Sequence, residues 1–218
     1  PLEISGKPAT LSPTQVMDYL ACPARYLLNR LYRLSASSDR MGERYGELAH
    51  HALEKWDYHD RAALVGNVDR FAGHSIPADL HGRLRESLAA FASSDLAREV
   101  AGSDEIRREE RFGFIEEDVL VRGAIDLVAR TPDGWIVVDF KTNHVAPENV
   151  PAEAERYLIQ LGLYALALHR AEDIVPARLA VHFLALGITH SFPCDRDVID
   201  GVAYTLHEVI AAMDAGDF

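Results

Sequence analysis

Residues 119–130 and 135–141 read as two strands around the turn Thr131-Pro132-Asp133-Gly134, and this hairpin constrains the chain more than any other segment. Side chains alternate along a strand, so the parity of the loop decides which residues meet. With a four-residue loop, Arg130 pairs with Trp135 and Asp126 falls opposite Asp139. With Asp133-Gly134 as a two-residue loop, Asp126 faces Lys141 instead and Asp139 moves one diagonal step. Either even loop places Asp126, Asp139 and Lys141 on one face, and an odd loop without a bulge splits them. Ile125, Leu127, Ala129, Ile136, Val138 and Phe140 then form the opposite, core face. Ala124, Val128, Trp135 and Val137 accompany the carboxylates, so their face is not an open solvent face either.

Two carboxylates side by side in such surroundings repel, and one must take a proton unless a cation lies between them. Lys141 supplies one positive charge, and a hard divalent ion accepting carboxylate oxygens neutralises the pair better. The ordinary alternative is a solvated Asp–Asp–Lys cluster on a two-faced hairpin. Two outside features bear on that choice. His50 lies four residues after Gly46 on one face of an expected helix, a position where a histidine is commonly just a satisfied partner. Gln160 is the one strongly polar side chain in the apolar run 157–168, and its amide needs partners, with Tyr164 one turn on.

Around the hairpin the pattern is helical first and mixed later. Residues 1–11 read as an extended lead-in. Ser12-Pro13-Thr14-Gln15 is a capping box with proline at the first helical position, starting a helix that ends near Cys22-Pro23. A second helix carries residues 25–34, residues 35–40 form a polar linker, and a helix covers 41–58. A mostly helical stretch runs to about Val100, broken near residues 73–77. Strands are expected over 106–115, 119–130, 135–141 and 178–187, the last continued over 190–192 after a turn. Helices are expected over 153–171 and 195–214. This order defines an α/β layout with a mixed sheet.

Of 218 residues, 22 are Lys or Arg and 34 are Asp or Glu, a net charge of −12. That balance argues against wrapping duplex DNA through a broad basic surface, but not against holding phosphate through bound cations. Cys22 and Cys194 cannot build a disulfide framework or a CxxC zinc pair, which suggests a reducing, cytoplasmic setting. No apolar run of about 18 residues is present, so no membrane span is expected, and no signal peptide is visible. The absence of GxxxxGK[ST] excludes a P-loop from these residues. A start at Pro1 suggests a cut from a longer protein.

Five motifs occur in order: LSPTQVMDYLACPARYLL (11–28), GELAHHALE (46–54), GAIDLV (123–128), VVDFKTN (137–143) and QLGLY (160–164). Together they resemble the nuclease domain of RecB and AddA in the PD-(D/E)XK superfamily. The resemblance implies one domain over 1–218 with a restriction-endonuclease-like core. Its mixed central β-sheet, flanked by helices, would occupy 106–218, after a helical part over 1–105. It implies His50, Asp126, Asp139 and the Phe140 backbone carbonyl as ligands of Mg²⁺ or Mn²⁺. It makes Lys141 the catalytic lysine, acting with Asp126 and Asp139, and assigns Gln160 and Tyr164 to holding DNA. Glu109 or Glu110 would be the acidic residue on the preceding strand, and Glu54 could orient His50. Cys22 matches the first cysteine of iron–sulfur relatives, but the three C-terminal cysteines are missing. No cluster is therefore expected, and Cys22 becomes a small buried residue.

The implied function is metal-dependent hydrolysis of single-stranded DNA, exonuclease-like, in double-strand-break repair, either beside an attached or associated helicase motor or as a small stand-alone RecB-like exonuclease. Two readings compete. One is a catalytically inactive nuclease-like module for DNA binding or assembly, against which the complete His50, Asp126, Asp139 and Lys141 set argues. The other is a structural calcium site, which leaves Lys141 unexplained because a cation beside a cation site lowers affinity.

Overall fold

Ser12 begins the helical part as the sequence reads. Its hydroxyl accepts from Gln15 N at 3.2 Å, and Gln15 Oε1 accepts from Ser12 N at 2.9 Å. The computed structural model describes residues 8–32, 40–72 and 76–218. The expectations for residues 1–7, for 33–39 and for the break at 73–75 lie outside those residues. The elements are β1 (Thr10–Leu11), α1 (Pro13–Ala21), α2 (Pro23–Tyr32), α3 (Arg40–Glu54), α4 (Arg61–Ala72), α5 (Ala78–Phe91), α6 (Asp95–Ala101), β2 (Glu105–Glu116), β3 (Val119–Thr131), β4 (Gly134–Lys141), α7 (Val150–Glu155), α8 (Leu158–Glu172), β5 (Arg178–Phe183), β6 (Ile188–Pro193) and α9 (Arg196–Asp214).

Three expected boundaries shift, each for a local reason. The helix over 41–58 stops at Glu54, because Asp57 Oδ1 accepts from His59 N at 3.0 Å and Tyr58 takes φ +67°. Asp60 Oδ1 then accepts from Ala62 N at 2.8 Å and starts α4. The helix over 153–171 divides into α7 and α8 at Arg156-Tyr157, where two bonds tighten to i→i−3: Arg156 N to Glu153 O and Tyr157 N to Ala154 O. The strand over 178–187 ends at Phe183, whose carbonyl accepts from both Leu186 and Gly187, with Gly187 at φ +66°. Cys22, expected to be buried, is half-buried at the end of α1.

One mixed sheet organises the chain. Long β3 pairs antiparallel with β2 along one edge, and its other edge serves both parallel β1, at Leu120 and Val121, and antiparallel β4. The sheet continues through β5, parallel to β4, to antiparallel β6. Both faces are covered, giving two cores. Val128, Val137, Leu179 and Val181 pack with α1, α8 and α9. Leu127, Ala129, Ile136, Val138 and Phe140 pack with α3 to α6. Such double burial is why the central strands are apolar almost throughout. Helix α8 is buried from Gln160 to Leu168. It sits against α9 so closely that a Cβ on Gly162 would lie 2.4 Å from Val202 Cγ2.

The hairpin has even parity. Thr131 pairs with Gly134 and Arg130 with Trp135, but the ladder stops at Leu127 and Val138, so the expected sharing of one face by Asp126, Asp139 and Lys141 fails: Asp126 turns to His50 on α3, while Asp139 and Lys141 turn to Gln160 on α8. The expected core face needs one correction: Ile125 joins the α8 side, while Leu127 and Ala129 face the other. The alternation breaks at Asp126. On β2, Arg108 pairs with Leu127 and Glu110 with Ile125, but Glu109 and Asp126 are missing from the ladder, and Glu109 adopts φ +49°. Glutamate in a left-handed conformation is strained, and such strain gathers at functional sites.

Candidate metal and phosphate site

The break at Asp126 lies where the β3–β4 ladder has ended at Leu127 and Val138. Asp126 uses both oxygens there. Oδ2 accepts from Phe140 N at 2.7 Å, replacing a ladder bond, and Oδ1 faces His50 Nδ1 at 3.3 Å. His50 comes from α3 on one face of the sheet, and Glu109 Oε1 approaches the same Nδ1 at 3.8 Å. His50, Glu109 and Asp126 present ligand atoms within 4.8 Å of one another. Glu109, rather than Glu110, is therefore the β2 carboxylate at this point. Glu54 turns instead to His51 and Lys55, so it does not orient His50.

Asp139 stands a step aside, on the α8 face, with only 2% of its surface exposed. Its Oδ1 accepts from Gln160 Nε2 at 2.9 Å. Lys141 Nζ lies 2.9 Å from Oδ2, yet without hydrogen-bond alignment, so that buried oxygen has no hydrogen-bond donor. Lys141 Nζ donates to Gln160 Oε1 at 3.2 Å and rests 4.2 Å from the Tyr157 ring centroid. Gln160 Nε2 also donates to the Tyr164 hydroxyl at 2.6 Å. Gln160 and Tyr164, expected at DNA, are buried, and these polar contacts all go to Asp139, Lys141 and each other. Tyr157 and its grip on Lys141 were missed in the sequence. It sits three residues before Gln160, at the start of α8, with its ring against the ammonium.

The charges show what the site lacks. Burial disfavours a proton on His50, but the Asp126 and Glu109 carboxylates outweigh it and push its pKa up to about 10. Burial, then the Asp126 charge, holds the Asp139 carboxyl above the usual range, against the pull of Lys141. A proton on His50 thus does part of what a divalent cation would do. The buried Asp139 oxygen without a donor, the three clustered ligand atoms and their nitrogen–oxygen chemistry fit a divalent metal cation.

This predicts a pH effect. A raised His50 pKa adds stability that is complete below about 6.5 and lost as pH rises through about 10. Melting temperature in EDTA will fall between pH 6.5 and 10, and His50→Gln will flatten that fall. Saturating Mn²⁺ will flatten it in the wild type too, because the cation replaces the proton. Equal slopes for wild type and His50→Gln in EDTA would contradict it.

A mixed sheet with acidic residues and a lysine at the divergence of two strands is the architecture of a restriction-endonuclease-like fold. The description of the PD-(D/E)XK nuclease superfamily matches residues 10–218, and the chain belongs to that superfamily as a domain of the RecB/AddA type. Among curated relatives, an ATP-dependent helicase/nuclease of Desulforudis audaxviator has a subunit 37% identical over 120 residues, which is 49% of this chain and 10% of that protein. The protein of the same name from Levilactobacillus brevis is 30% identical over 165 residues, 65% of this chain and 13% of the relative. The chain thus spans about a tenth of the length of the curated relatives it matches. Among solved structures, a Eubacterium rectale protein named provisionally as an exonuclease superposes with a TM-score of 0.62 at 9% identity. The superposition covers 96% of this chain and 83% of that one, and it speaks for the fold. No helix among the described residues is long and apolar enough to cross a membrane.

Proposed function

We propose that the chain is a Mg²⁺- or Mn²⁺-dependent deoxyribonuclease that hydrolyses single-stranded DNA from its ends, working beside a helicase motor in break repair. The observation that carries this reading is Asp139. It is a nearly fully buried carboxylate with one oxygen lacking a donor, set beside Asp126 and under the Lys141 ammonium. A carboxylate buried this deeply beside a second one is costly even with one ammonium next to it, so its retention supports cation binding.

Hydrolysis requires water to attack phosphorus, the bond to the leaving oxygen to break, and a proton to reach that oxygen. His50, Asp126, Asp139 and the Phe140 carbonyl would hold the cation, with Glu109 in reach of the same point. When bound, the cation neutralises phosphate charge and lowers the pKa of a coordinated water. Lys141 is the chain's own polar group at the reacting phosphate, where it orients water and stabilises developing charge. Gln160 fixes Lys141 and Asp139 relative to each other by bonding both, and Tyr164 fixes Gln160. These two buried residues therefore act on DNA through Lys141.

The test is product analysis. With Mn²⁺, 5′- and 3′-labelled single strands should be shortened from one end to small products, while a circular single strand persists. Rapid cutting of the circle would replace the end-directed reading with an endonuclease, and a duplex cut equally fast would remove the single-strand preference.

A further inference from the structure

We propose that the groove beside Lys141, bounded by α3, α5 and residues 142–144, is a binding subsite for the DNA nucleotide next to the scissile phosphate. It rests on the nuclease reading above. The groove encloses about 380 Å³ and is lined by Met41, Gly42, Tyr45, Leu80, Arg83, Thr142, Asn143 and His144. In a chain with 34 acidic residues against 22 basic ones, this lining contains no carboxylate. Among the described residues, then, no carboxylate lines the path of a phosphodiester entering it.

The groove shares no lining residue with the site but adjoins it along two chain segments. Thr142 to His144 follow Lys141 directly, and Tyr45 precedes His50 on α3 by five residues, about 7.5 Å along the helix axis. Gly46 lets the two walls close up, since a Cβ there would sit 3.3 Å from Thr142 Oγ1. At the rim Arg83 reaches His144 Nε2, a contact between two nitrogen groups with no acid between them. Arg83 is solvent-exposed, and its guanidinium can meet a phosphate with two parallel donors. Tyr45, Leu80 and the 40%-exposed Met41 offer an aromatic and apolar wall for a base, the tolerant stacking used for single strands. The other groove near Lys141, lined by Arg25 and Arg156, includes Asp18, and its Arg156 is paired with Glu153 at 3.0 Å, so it is less suited to phosphate.

The test measures binding and turnover with a fluorescein-labelled single-stranded oligonucleotide. Anisotropy is read in Ca²⁺ and cleavage kinetics in Mn²⁺. Arg83→Gln is expected to raise Kd and KM about tenfold, with a smaller change in kcat. The slope of log affinity against log salt should fall by about 0.7, one contact on a single strand. Tyr45→Phe should bind like the wild type and Tyr45→Leu more weakly. Arg196→Gln, on α9, controls for net charge and should change nothing. If Arg83→Gln keeps the wild-type Kd, KM and salt slope while the wild type binds and cuts, the subsite is wrong and the nuclease reading stands. If the wild type neither binds nor cuts, both fall.

Discussion

Replacing Lys141 with methionine will slow DNA cleavage by about a thousandfold while leaving Mn²⁺ affinity at or above that of the wild type. Under the proposed function Lys141 acts at the reacting phosphate, where a positioned proton donor or fixed charge is worth roughly 10²–10⁴ in rate. It also competes with a bound cation, because its ammonium lies 2.9 Å from Asp139 Oδ2. Removing it therefore separates the two roles: turnover falls and metal binding does not. Methionine keeps an apolar stem against the Tyr157 ring, which limits collateral packing loss. The metal-free variant will melt lower than the wild type, since Asp139 loses its partner charge in a buried place, and Mn²⁺ will restore it. Cleavage at the wild-type rate would remove Lys141 from the chemistry.

Gly162→Ala will destabilise the fold by about 1–3 kcal/mol, the usual scale of overpacking, even though alanine gains about 1 kcal/mol in helix propensity over glycine. The added Cβ falls 2.4 Å from Val202 Cγ2. Valine is branched at Cβ and stiff in a helix, so the conflict passes to the backbone of α9. For a domain of this size the melting temperature should drop by several degrees, at about 2–4 °C per kcal/mol. Adding Val202→Ala should recover part of the loss, giving a coupling a double-mutant cycle can read. Additive losses would mean that α8 and α9 do not meet at this pair. Helix α8 carries Gln160 two residues earlier, so the same substitution should also weaken cleavage by displacing Lys141 and Asp139.

Much of this arrangement is legible in the sequence, and the parts that are not share a cause. The capping box at Ser12, the hairpin parity and the order of elements follow from local rules that a single segment carries. The pairing of Arg130 with Trp135 is fixed by the turn alone. What eludes a linear reading is set by contacts across segments. Ile125 changes face because Glu109 and Asp126 leave the ladder together, and nothing in residues 119–130 announces that. Glu109 and Glu110 are equivalent as letters, and only the left-handed turn at Glu109 sends one of them to His50. Gln160 was legible as a polar group needing partners. That its partners would be Asp139 and Lys141 depends on α8 packing across β4, a contact between segments far apart in sequence.

The net charge of −12 also acquires a place. Glu109 and Asp126 place part of the acidity around His50, with Asp139 a step aside, and the groove lined by Arg83 and His144 carries none of it. Phosphate would be met by cations in the one and by nitrogen donors in the other, leaving the remaining surface unattractive to DNA.

Under the proposed function, Asp126 and Asp139 hold a cation for phosphodiester hydrolysis. The most direct measurement of this is the initial rate of cleavage of an end-labelled single strand as Mn²⁺ is titrated, for wild type and Asp139→Asn at high enzyme concentration. The wild type should show a saturable, EDTA-reversible rate. Asp139→Asn should be slower by about three orders of magnitude, with no rise in melting temperature on adding Mn²⁺. Cleavage that persists in EDTA, or an Asp139→Asn variant that cuts as fast as the wild type, would contradict it.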